Sequence, residues 1–540
     1  MRKIETRSTA APSYMVPLVW VILCSVMLVG CEPSKKEVES GSFQPKEITV
    51  KGNRFVDDSE RQVILNSINL VNKSKKDGYM LKGGPELYAK VKEWGFNSIR
   101  LVIIWDGLEP EPGTYNEEYL KEIDKRIKWA QENGLFVVLD MHQDLFSVKY
   151  ADGAPEWATL DEGLPHVKGD VWSDAYMMSP AVQTAFDNFW ANKKASDSLG
   201  VQDHYANVWK HVAKRYANNP TVIGYDLMNE PSQGSSLLQA KPALLKALGK
   251  MLNKLEGTVM TEKQLTETWN NVEQRMAVLK LLSNKENYAE VIDALYPYTH
   301  AFEKEKLQPF YQRVANAIRE VDTDHVLFLE HAYYGNKGVK SSIERTTLPN
   351  GVPDPLVSYG AHPYDLVTDT KSAANASVER VDLIYDRIVE KGQQLKMPVW
   401  LGEWGAYYDW GESIVTVARH AISRMEKDLL GNAYWSYHSS LESQAYFKKA
   451  IIRPYPAYTN GELLGYKFDF DNSILSVEWR ENGANDAPTV IFIPWLSKLQ
   501  LDNQNDVFSI EKIEGSDAGW ILISTQKEKG IRKIDFYFKK

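Results

Sequence analysis

The chain has 540 residues, of which 43% are hydrophobic and 25% are charged, and its formal net charge at pH 7 is −9. This composition is that of a globular protein and excludes an intrinsically disordered chain. The mild negative charge argues against nucleic acid as the main partner, because phosphate backbones are bound by basic surfaces. The length accommodates a barrel of about 250 to 400 residues together with a smaller domain.

Residues 1–30 have the pattern of a secretory signal. Basic Arg2 and Lys3 precede an apolar stretch over residues 15–29. This stretch is short for a membrane span, so a cleaved signal is favoured over a transmembrane anchor. Its ending, Leu28-Val29-Gly30-Cys31, resembles a bacterial lipobox, in which Cys31 is lipidated and becomes the first mature residue. We therefore expect a membrane-anchored lipoprotein that faces the periplasm or the cell surface.

The chain after Cys31 contains no further cysteine and begins with a polar stretch. Cys24 and Cys31 are the only cysteines, so the mature chain is expected to lack disulfides and cysteine-based zinc or redox sites. Residues 31–46 are mostly polar and predict a flexible tether.

Residues 47–445 alternate between amphipathic helical stripes and apolar runs. The helical stripes end in glycine, as at Gly95 and Gly134, and continuous apolar runs follow them. Glycine is a common stop signal for helices, and continuous apolar runs are typical of parallel strands buried on both faces. The predicted strands cover residues 63–70, 98–104, 136–141, 222–228, 325–329, 357–361, 399–402 and 432–436. Eight alternations predict a (β/α)₈ TIM barrel. The alternative, a doubly wound sheet, would usually carry a glycine-rich turn after its first strand, and the sequence has none there.

Two long inserts interrupt the barrel pattern, and a different pattern follows it. An aromatic insert covers residues 172–192, and a second insert, about 232–306, is predicted to be helical. Each insert follows a barrel strand, so it either shapes the substrate groove or serves as a structural cap. After His438 apolar and polar residues alternate, which predicts a C-terminal antiparallel β-sandwich domain over residues 446–540 that serves mainly as a packed appendage.

Polar residues stand at the ends of the predicted barrel strands, where a TIM barrel places its active site. They are Arg100, His142, Asp144, Asn229, Glu230, His362, Tyr364, Glu403 and Trp435. Two carboxyl groups about 5 to 5.5 Å apart, with polar groups around them, are what a retaining glycosidase needs. Position alone leaves other pairings open, including Asp140 with Glu230 and Glu330 with Glu403.

The motifs on these strands resemble glycoside hydrolase family 5. Asn229-Glu230-Pro231 on the fourth strand, His362-Pro363-Tyr364 on the sixth and Glu403 on the seventh follow the family's order. The runs Asp140-Met141-His142-Gln143-Asp144 and Arg453-Pro454-Tyr455-Pro456 resemble the endoglycoceramidase branch. That branch includes endoglycoceramidases, glucosylceramidases and sterol glucosidases.

The resemblance implies a role for each strand-end residue. Glu230 would be the general acid/base, with a pKa raised by the negative charge of Glu403. Glu403 would be the nucleophile, kept ionised by Arg100 and by the hydroxyl of Tyr364. The other residues would bind the sugar: Asn229 at its 2-OH, Trp435 beneath its ring, His142 and His362 beside it, and Lys73 and Asp144 at its hydroxyls.

The resemblance thus implies a retaining hydrolase that cleaves a β-glycosidic bond through a covalent glycosyl-enzyme intermediate, with ceramide as the leading aglycone. The alternatives are a β-glucosidase or glucanase acting on sterol glucoside or polysaccharide, and a non-catalytic surface glycan-binding lipoprotein. In the helical insert, leucines such as Leu237, Leu245 and Leu248 would form either an apolar rim for lipid chains or the core of a helical hairpin. The expected partner is a glycolipid or oligosaccharide substrate, the chain is expected to be a monomer, and this chemistry needs no metal or organic cofactor.

Overall fold

The computed structural model describes residues 43–169, 171–370, 372–408, 411–481, 483, 485–500, 508–526 and 530–540. The predicted signal segment and Cys31 lie outside these residues. Within the described ranges, no helix is both long enough and apolar enough to cross a membrane.

Among the described residues, eight parallel strands close into a barrel. In chain order they are Asn66–Leu70, Ser98–Ile104, Phe136–His142, Val222–Asp226, Val326–Glu330, Val357–Ala361, Val399–Gly405 and Gly431–Trp435. Each strand pairs with the next along the chain, and the eighth closes on the first. Nearly all strand residues are buried, as expected for strands covered on both faces. The predicted TIM barrel is confirmed.

Helices cover the outside of the barrel and bury the apolar stripes that predicted them. The long ones are Pro85–Glu93, Glu117–Glu132, Val201–Tyr216, Gln308–Arg319, Val378–Leu395 and Ser413–Lys427. In Glu117–Glu132 the side chain of Asn116 accepts a hydrogen bond from the backbone N–H of Tyr119 at the first turn, and Leu120, Ile123 and Ile127 face the core. After the fifth strand the chain instead forms a single 3₁₀ helix, Tyr333–Lys337.

The aromatic insert after the third strand is largely part of the core. It contains the helices Ala175–Met178 and Pro180–Trp190 and the 3₁₀ helix Trp172–Asp174, and the 3₁₀ helix Glu156–Ala158 precedes it. Phe186, Phe189 and Trp190 are buried, and Phe189 packs edge-on against Phe310 of the barrel layer. Trp172 differs, since 44% of it is exposed.

The insert after the fourth strand is helical, as predicted, and builds a core of its own. Its helices are Ser236–Glu256, Glu262–Asn270, Val272–Leu281, Lys285–Ile292 and Tyr296–Phe302. Leu245 and Leu248 join a separate buried cluster there, and Leu237 packs into the barrel core. These three leucines therefore form core rather than an apolar rim.

Two antiparallel sheets form the C-terminal β-sandwich, which confirms that part of the predicted fold. Within the described residues, one sheet has the spatial order Ile48–Lys51, Arg54–Asp57, Gln62–Val63, Tyr455–Thr459, Thr489–Ile493, Gly519–Ile523 and Phe508–Lys512. The other has the order Gly461–Asp469, Ile474–Glu481, Ile531–Phe538 and Leu499–Gln500. The strands of residues 48–63 thus join the C-terminal domain, whereas the sequence analysis placed them within the barrel bounds of residues 47–445.

The sandwich packs against the amino-terminal ends of the barrel strands. Phe136, Ile223 and Val326 share one buried apolar cluster with sandwich residues. At this interface Gly95 has a φ of +89°, and a Cβ there would lie 2.1 Å from the ring of Phe492. Only glycine meets both conditions. The sandwich therefore covers the end of the barrel opposite to the carboxyl-terminal strand ends.

Candidate active site

The polar strand-end residues meet at one cavity of about 590 Å³ on the carboxyl-terminal face of the barrel. Its lining includes Lys73, His142, Asp144, Asn229, Glu230, Tyr364, Glu403 and Trp435. The other two predicted site residues in the described part of the chain, Arg100 and His362, are fully buried and contact the carboxyl groups of this lining. All ten predicted site residues therefore lie at or directly beneath this cavity.

Glu403 lies on the seventh barrel strand, and two hydrogen-bond donors hold its carboxyl group. Its Oε1 accepts a hydrogen bond from Nη1 of Arg100 at 2.9 Å, and its Oε2 accepts one from the hydroxyl of Tyr364 at 2.9 Å. Each oxygen of the carboxyl group therefore has a donor of its own. This fixes the carboxyl plane before any substrate arrives.

Arg100 is the centre of a buried charge cluster. Beyond Glu403, its guanidinium lies 3.0 Å from Asp140, 2.9 Å from Asp226 and 3.1 Å from Glu330. Four carboxyl groups around one guanidinium leave an excess of negative charge, and burial adds a desolvation cost. Burial accordingly raises the pKa of Asp140 to about 6 and raises the pKa of Glu330 well above its usual range.

Glu230 follows the fourth strand in a left-handed backbone conformation, with a φ of +43°. Its Oε1 accepts hydrogen bonds from Nδ2 of Asn336 at 2.6 Å and from Nδ1 of His362 at 3.0 Å. Its backbone N–H donates to Oε2 of Glu330 at 2.8 Å, and Nε2 of Gln143 donates to its carbonyl at 3.1 Å. These contacts stabilise a conformation that is costly for a non-glycine residue.

Glu230 and Glu403 approach each other as a pair. One oxygen of each, together with a nitrogen of His362, lies within 4.8 Å of the others. This spacing fits the short separation of retaining glycosidases and is well below the 6.5 to 9.5 Å or so of inverting ones. Asp140 and Glu330 belong to the charge cluster beneath and do not line the cavity. Both alternative pairings are therefore disfavoured by position.

The pKa of Glu230 is shifted in the direction opposite to the one expected from the family resemblance. Burial alone would lower the pKa of His362, but Glu330 and Glu403 raise it well above its ordinary value. Burial also raises the pKa of Glu230, yet the contact with His362 outweighs this and lowers it. Burial raises the pKa of Glu403 to about 7. His362 lies 3.0 Å from Glu230 and 3.8 Å from Glu403, so its positive charge favours the ionised form of Glu230 more strongly than that of Glu403.

A second wall of the cavity combines aromatic and charged groups. The rings of His142 and Trp435 stack with their centroids 5.2 Å apart, and Nδ1 of His142 is 2.8 Å from Asp140. The ammonium of Lys73 contacts Asp144 and lies 4.7 Å from the centroid of Trp435. This wall offers an aromatic surface beside groups that donate and accept hydrogen bonds.

The sequence interpretation missed three polar groups further along the chain after the fifth and sixth strands. Asn336 holds Glu230, and Lys337 and Asp369 line the cavity. Asn336 and Lys337 come six and seven residues after Glu330, which ends its strand. Extending the strand-end rule into the following loops would have included them. By contrast, no residue of the helical insert over 232–306 contributes to the cavity lining.

Comparison with known proteins agrees with this geometry. Residues 56–440 match the sequence profile described as cellulase (glycosyl hydrolase family 5), and residues 453–530 match that of the glycoside hydrolase family 5 C-terminal domain. An endoglycoceramidase of Cyanea nozakii is 32% identical over 210 residues, which are 34% of this chain and 41% of that protein. Endoglycoceramidase I of Rhodococcus hoagii is 24% identical over 461 residues, covering 82% of this chain and 78% of that protein.

Solved structures show the same fold. Endo-glycoceramidase II from Rhodococcus sp. has a TM-score of 0.68 and 24% identity, covering 90% of this chain and 99% of that chain. Cryptococcus neoformans sterylglucosidase 1 has a TM-score of 0.64 and 16% identity, covering 92% of this chain and 97% of that chain. The family profile spans the barrel and its strand-end carboxylates, so this chain belongs to glycosyl hydrolase family 5.

Proposed function

We propose that this protein is a retaining glycoside hydrolase that cleaves the β-glycosidic bond between glycan and ceramide in glycosphingolipids. The observation that carries the proposal is the close pair of Glu230 and Glu403 in a cavity walled by polar and aromatic side chains. The relatives support the substrate class, since the proteins of Cyanea nozakii and Rhodococcus hoagii are both endoglycoceramidases. One solved structure of the Rhodococcus enzyme is described as a ganglioside GM3 complex.

In the first step, Glu403 attacks the anomeric carbon and forms an ester bond to the sugar. The bond from that carbon to the glycosidic oxygen breaks, and Glu230 gives its proton to the departing oxygen. The competent arrangement of the pair therefore has a proton on Glu230 and a charge on Glu403. The pair must therefore hold one proton in total, and that proton must lie on Glu230 at the moment of attack.

In the second step, water replaces the leaving alcohol. Glu230 takes a proton from this water, whose oxygen attacks the anomeric carbon and breaks the ester to Glu403. Ester formation removes the charge of Glu403, which makes Glu230 more acidic and suited to act as a base. Arg100 and Tyr364 support the carboxylate of Glu403 as it departs.

The remaining predicted residues are proposed to bind the sugar. Asn229 lines the cavity with its Oδ1 fixed by Nη2 of Arg100 at 3.0 Å, and it would contact the 2-OH of the sugar. Trp435 offers its ring for stacking. Lys73, Asp144 and His142 surround that ring and would contact sugar hydroxyls. Among the described tryptophans, Trp172 is the one that both lines the cavity and is largely exposed, whereas an extended polysaccharide cleft would present several.

Substrate release tests the proposal. The purified protein is incubated with glucosylceramide, with a ganglioside and with a β-glucan, and products are identified by mass spectrometry. Intact oligosaccharide plus ceramide from the ganglioside supports an endoglycoceramidase. Free glucose from glucosylceramide alone indicates an exo-acting enzyme, and cleavage of β-glucan alone overturns the glycolipid assignment. An inverted anomeric product in the NMR spectrum contradicts the retaining mechanism.

We also propose that the protein is a monomer anchored to a bacterial membrane through lipid on Cys31, facing the periplasm or the outside. The support comes from the signal pattern and its Leu-Val-Gly-Cys ending. Labelling of cells with a clickable palmitate analogue tests the anchor, with Cys31→Ser as the matched control. Equal labelling of the two forms contradicts lipidation at Cys31, and surface accessibility to protease in intact cells separates the two locations.

A further inference from the structure

Lys337 places a cation on the cavity wall beside the catalytic pair. It ends the 3₁₀ helix Tyr333–Lys337, directly after Asn336, whose amide holds Glu230. Its ammonium donates to the carbonyl oxygen of Asp365 at 3.4 Å and lies 5.7 Å from the centroid of the Tyr364 ring. In the described part of the chain no carboxylate lies within 4.0 Å of this ammonium. Its charge is therefore not neutralised by a direct ion pair.

Asp369 places an opposite charge on the same wall. It lines the cavity together with Lys337, Trp172 and Tyr408, and burial raises the pKa of its carboxyl. Lys337 attracts its carboxylate, whereas Glu230 repels it. Asp369 and Lys337 are thus two unlike charges that both act on the carboxyl of Glu230.

The other charged groups around Glu230 belong to the buried cluster or to the opposite wall. His362 and Glu330 contact it from the sixth and fifth strands, Glu403 faces it from the seventh, and Lys73 acts from the loop after the first strand. His362 and Glu330 also hold the backbone or side chain of Glu230 by direct contacts. Lys337 and Asp369 have no such contact with the pair, so their charges can be changed without removing a support of either carboxyl.

We propose that Lys337 and Asp369 are positioning residues of opposite charge that together set the pH at which the Glu230–Glu403 pair loses its last proton. The inference rests on the proposed role of Glu230 as acid/base. Lys337 stabilises the doubly ionised pair and Asp369 destabilises it. Loss of the last proton removes the general acid, so these two residues determine the alkaline limit of activity.

The pH profile of kcat/KM on a soluble aryl β-lactoside tests this inference. Lys337→Met removes a positive charge, which favours the protonated pair, so the alkaline limb moves up by about 0.5 to 1 pH unit. Asp369→Asn removes a negative charge and moves the limb down by a similar amount. Lys337→Arg keeps the positive charge, so the alkaline limb stays at its wild-type position. Lys340→Met, three residues further on and exposed, is the matched control and leaves the limb in place.

Two outcomes overturn the inference: unmoved limbs in both charge variants, or shifts of both limbs in the same direction. A merely structural role would lower kcat/KM at every pH without moving the limb. If either variant fails to fold by circular dichroism, Lys337→Gln or Asp369→Ser replaces it in the comparison. Glu230→Gln separates this test from the proposed function. If that variant keeps the wild-type limb, the role of Glu230 fails; if it loses the limb while Lys337→Met and Asp369→Asn do not shift it, only the inference fails.

Discussion

Tyr364→Phe isolates one of the two donors that hold Glu403. The change removes a hydroxyl whose oxygen lies 2.9 Å from Oε2 and leaves the ring in place. A hydrogen bond to a charged, buried group contributes about 1.5 to 3 kcal/mol. Because Glu403 must be ionised to attack, we expect kcat/KM to fall roughly 10- to 150-fold.

The assay is initial-rate hydrolysis of an aryl β-lactoside across pH 4 to 9. Loss of the donor also disfavours the ionised form of Glu403, so the pKa of the carboxyl rises further. Tyr225→Phe is the matched control, because its hydroxyl also serves a buried carboxylate, donating to Asp322 at 2.6 Å, but away from the cavity. That variant should lose stability and keep kcat/KM within about two-fold of wild type. A Tyr364→Phe enzyme with wild-type kcat/KM would refute the reasoning.

Three further predictions concern the pair and the domain interface. The kcat/KM profile should have an alkaline limb near pH 7, because Glu403 has a pKa of about 7 and activity requires one proton on the pair; a limb above pH 9 contradicts this. Glu403→Gln should abolish turnover, whereas Glu230→Gln should slow substrates with poor leaving groups most, as measured with a series of aryl glycosides. Gly95→Ala should lower the midpoint of thermal unfolding far more than Gly52→Ala, whose Cβ would meet nothing within 4 Å; equal shifts would rule out the close contact with Phe492.

Local patterns explain why the barrel was predictable from sequence. The strand Phe136–His142 is a mostly apolar run that ends in a polar residue. This pattern depends only on neighbours in the chain. The same strand ends placed Glu230 and Glu403 among several candidate carboxyl groups, and the resemblance to the family selected this pair. The pairing of Gln62–Val63 with Tyr455–Thr459 joins segments almost 400 residues apart, and nothing in either segment specifies the partner. Its place in the C-terminal domain was therefore not predictable.

Protonation depends on distances that no motif contains. The motif His362-Pro363-Tyr364 gave the correct strand and the correct cavity. It did not show that Nδ1 of His362 lies 0.8 Å nearer to Glu230 than to Glu403, and this contact lowers the pKa of Glu230 instead of leaving it raised. The support of Glu230 by Asn336 was missed for a related reason, since the short helix after the fifth strand turns back over the cavity.

The buried guanidinium of Arg100 has a consequence for how enzymes of this kind diverge. Its partners Asn69, Asp140, Asp226, Glu330 and Glu403 come from five different barrel strands, so a change in any one of them disturbs the others. Lys73 and Asp144 stand instead on the loops beyond the strands. Selection can therefore exchange these loop residues and alter which glycan or aglycone is accepted, while the bond-breaking centre beneath them passes unchanged from one specificity to the next.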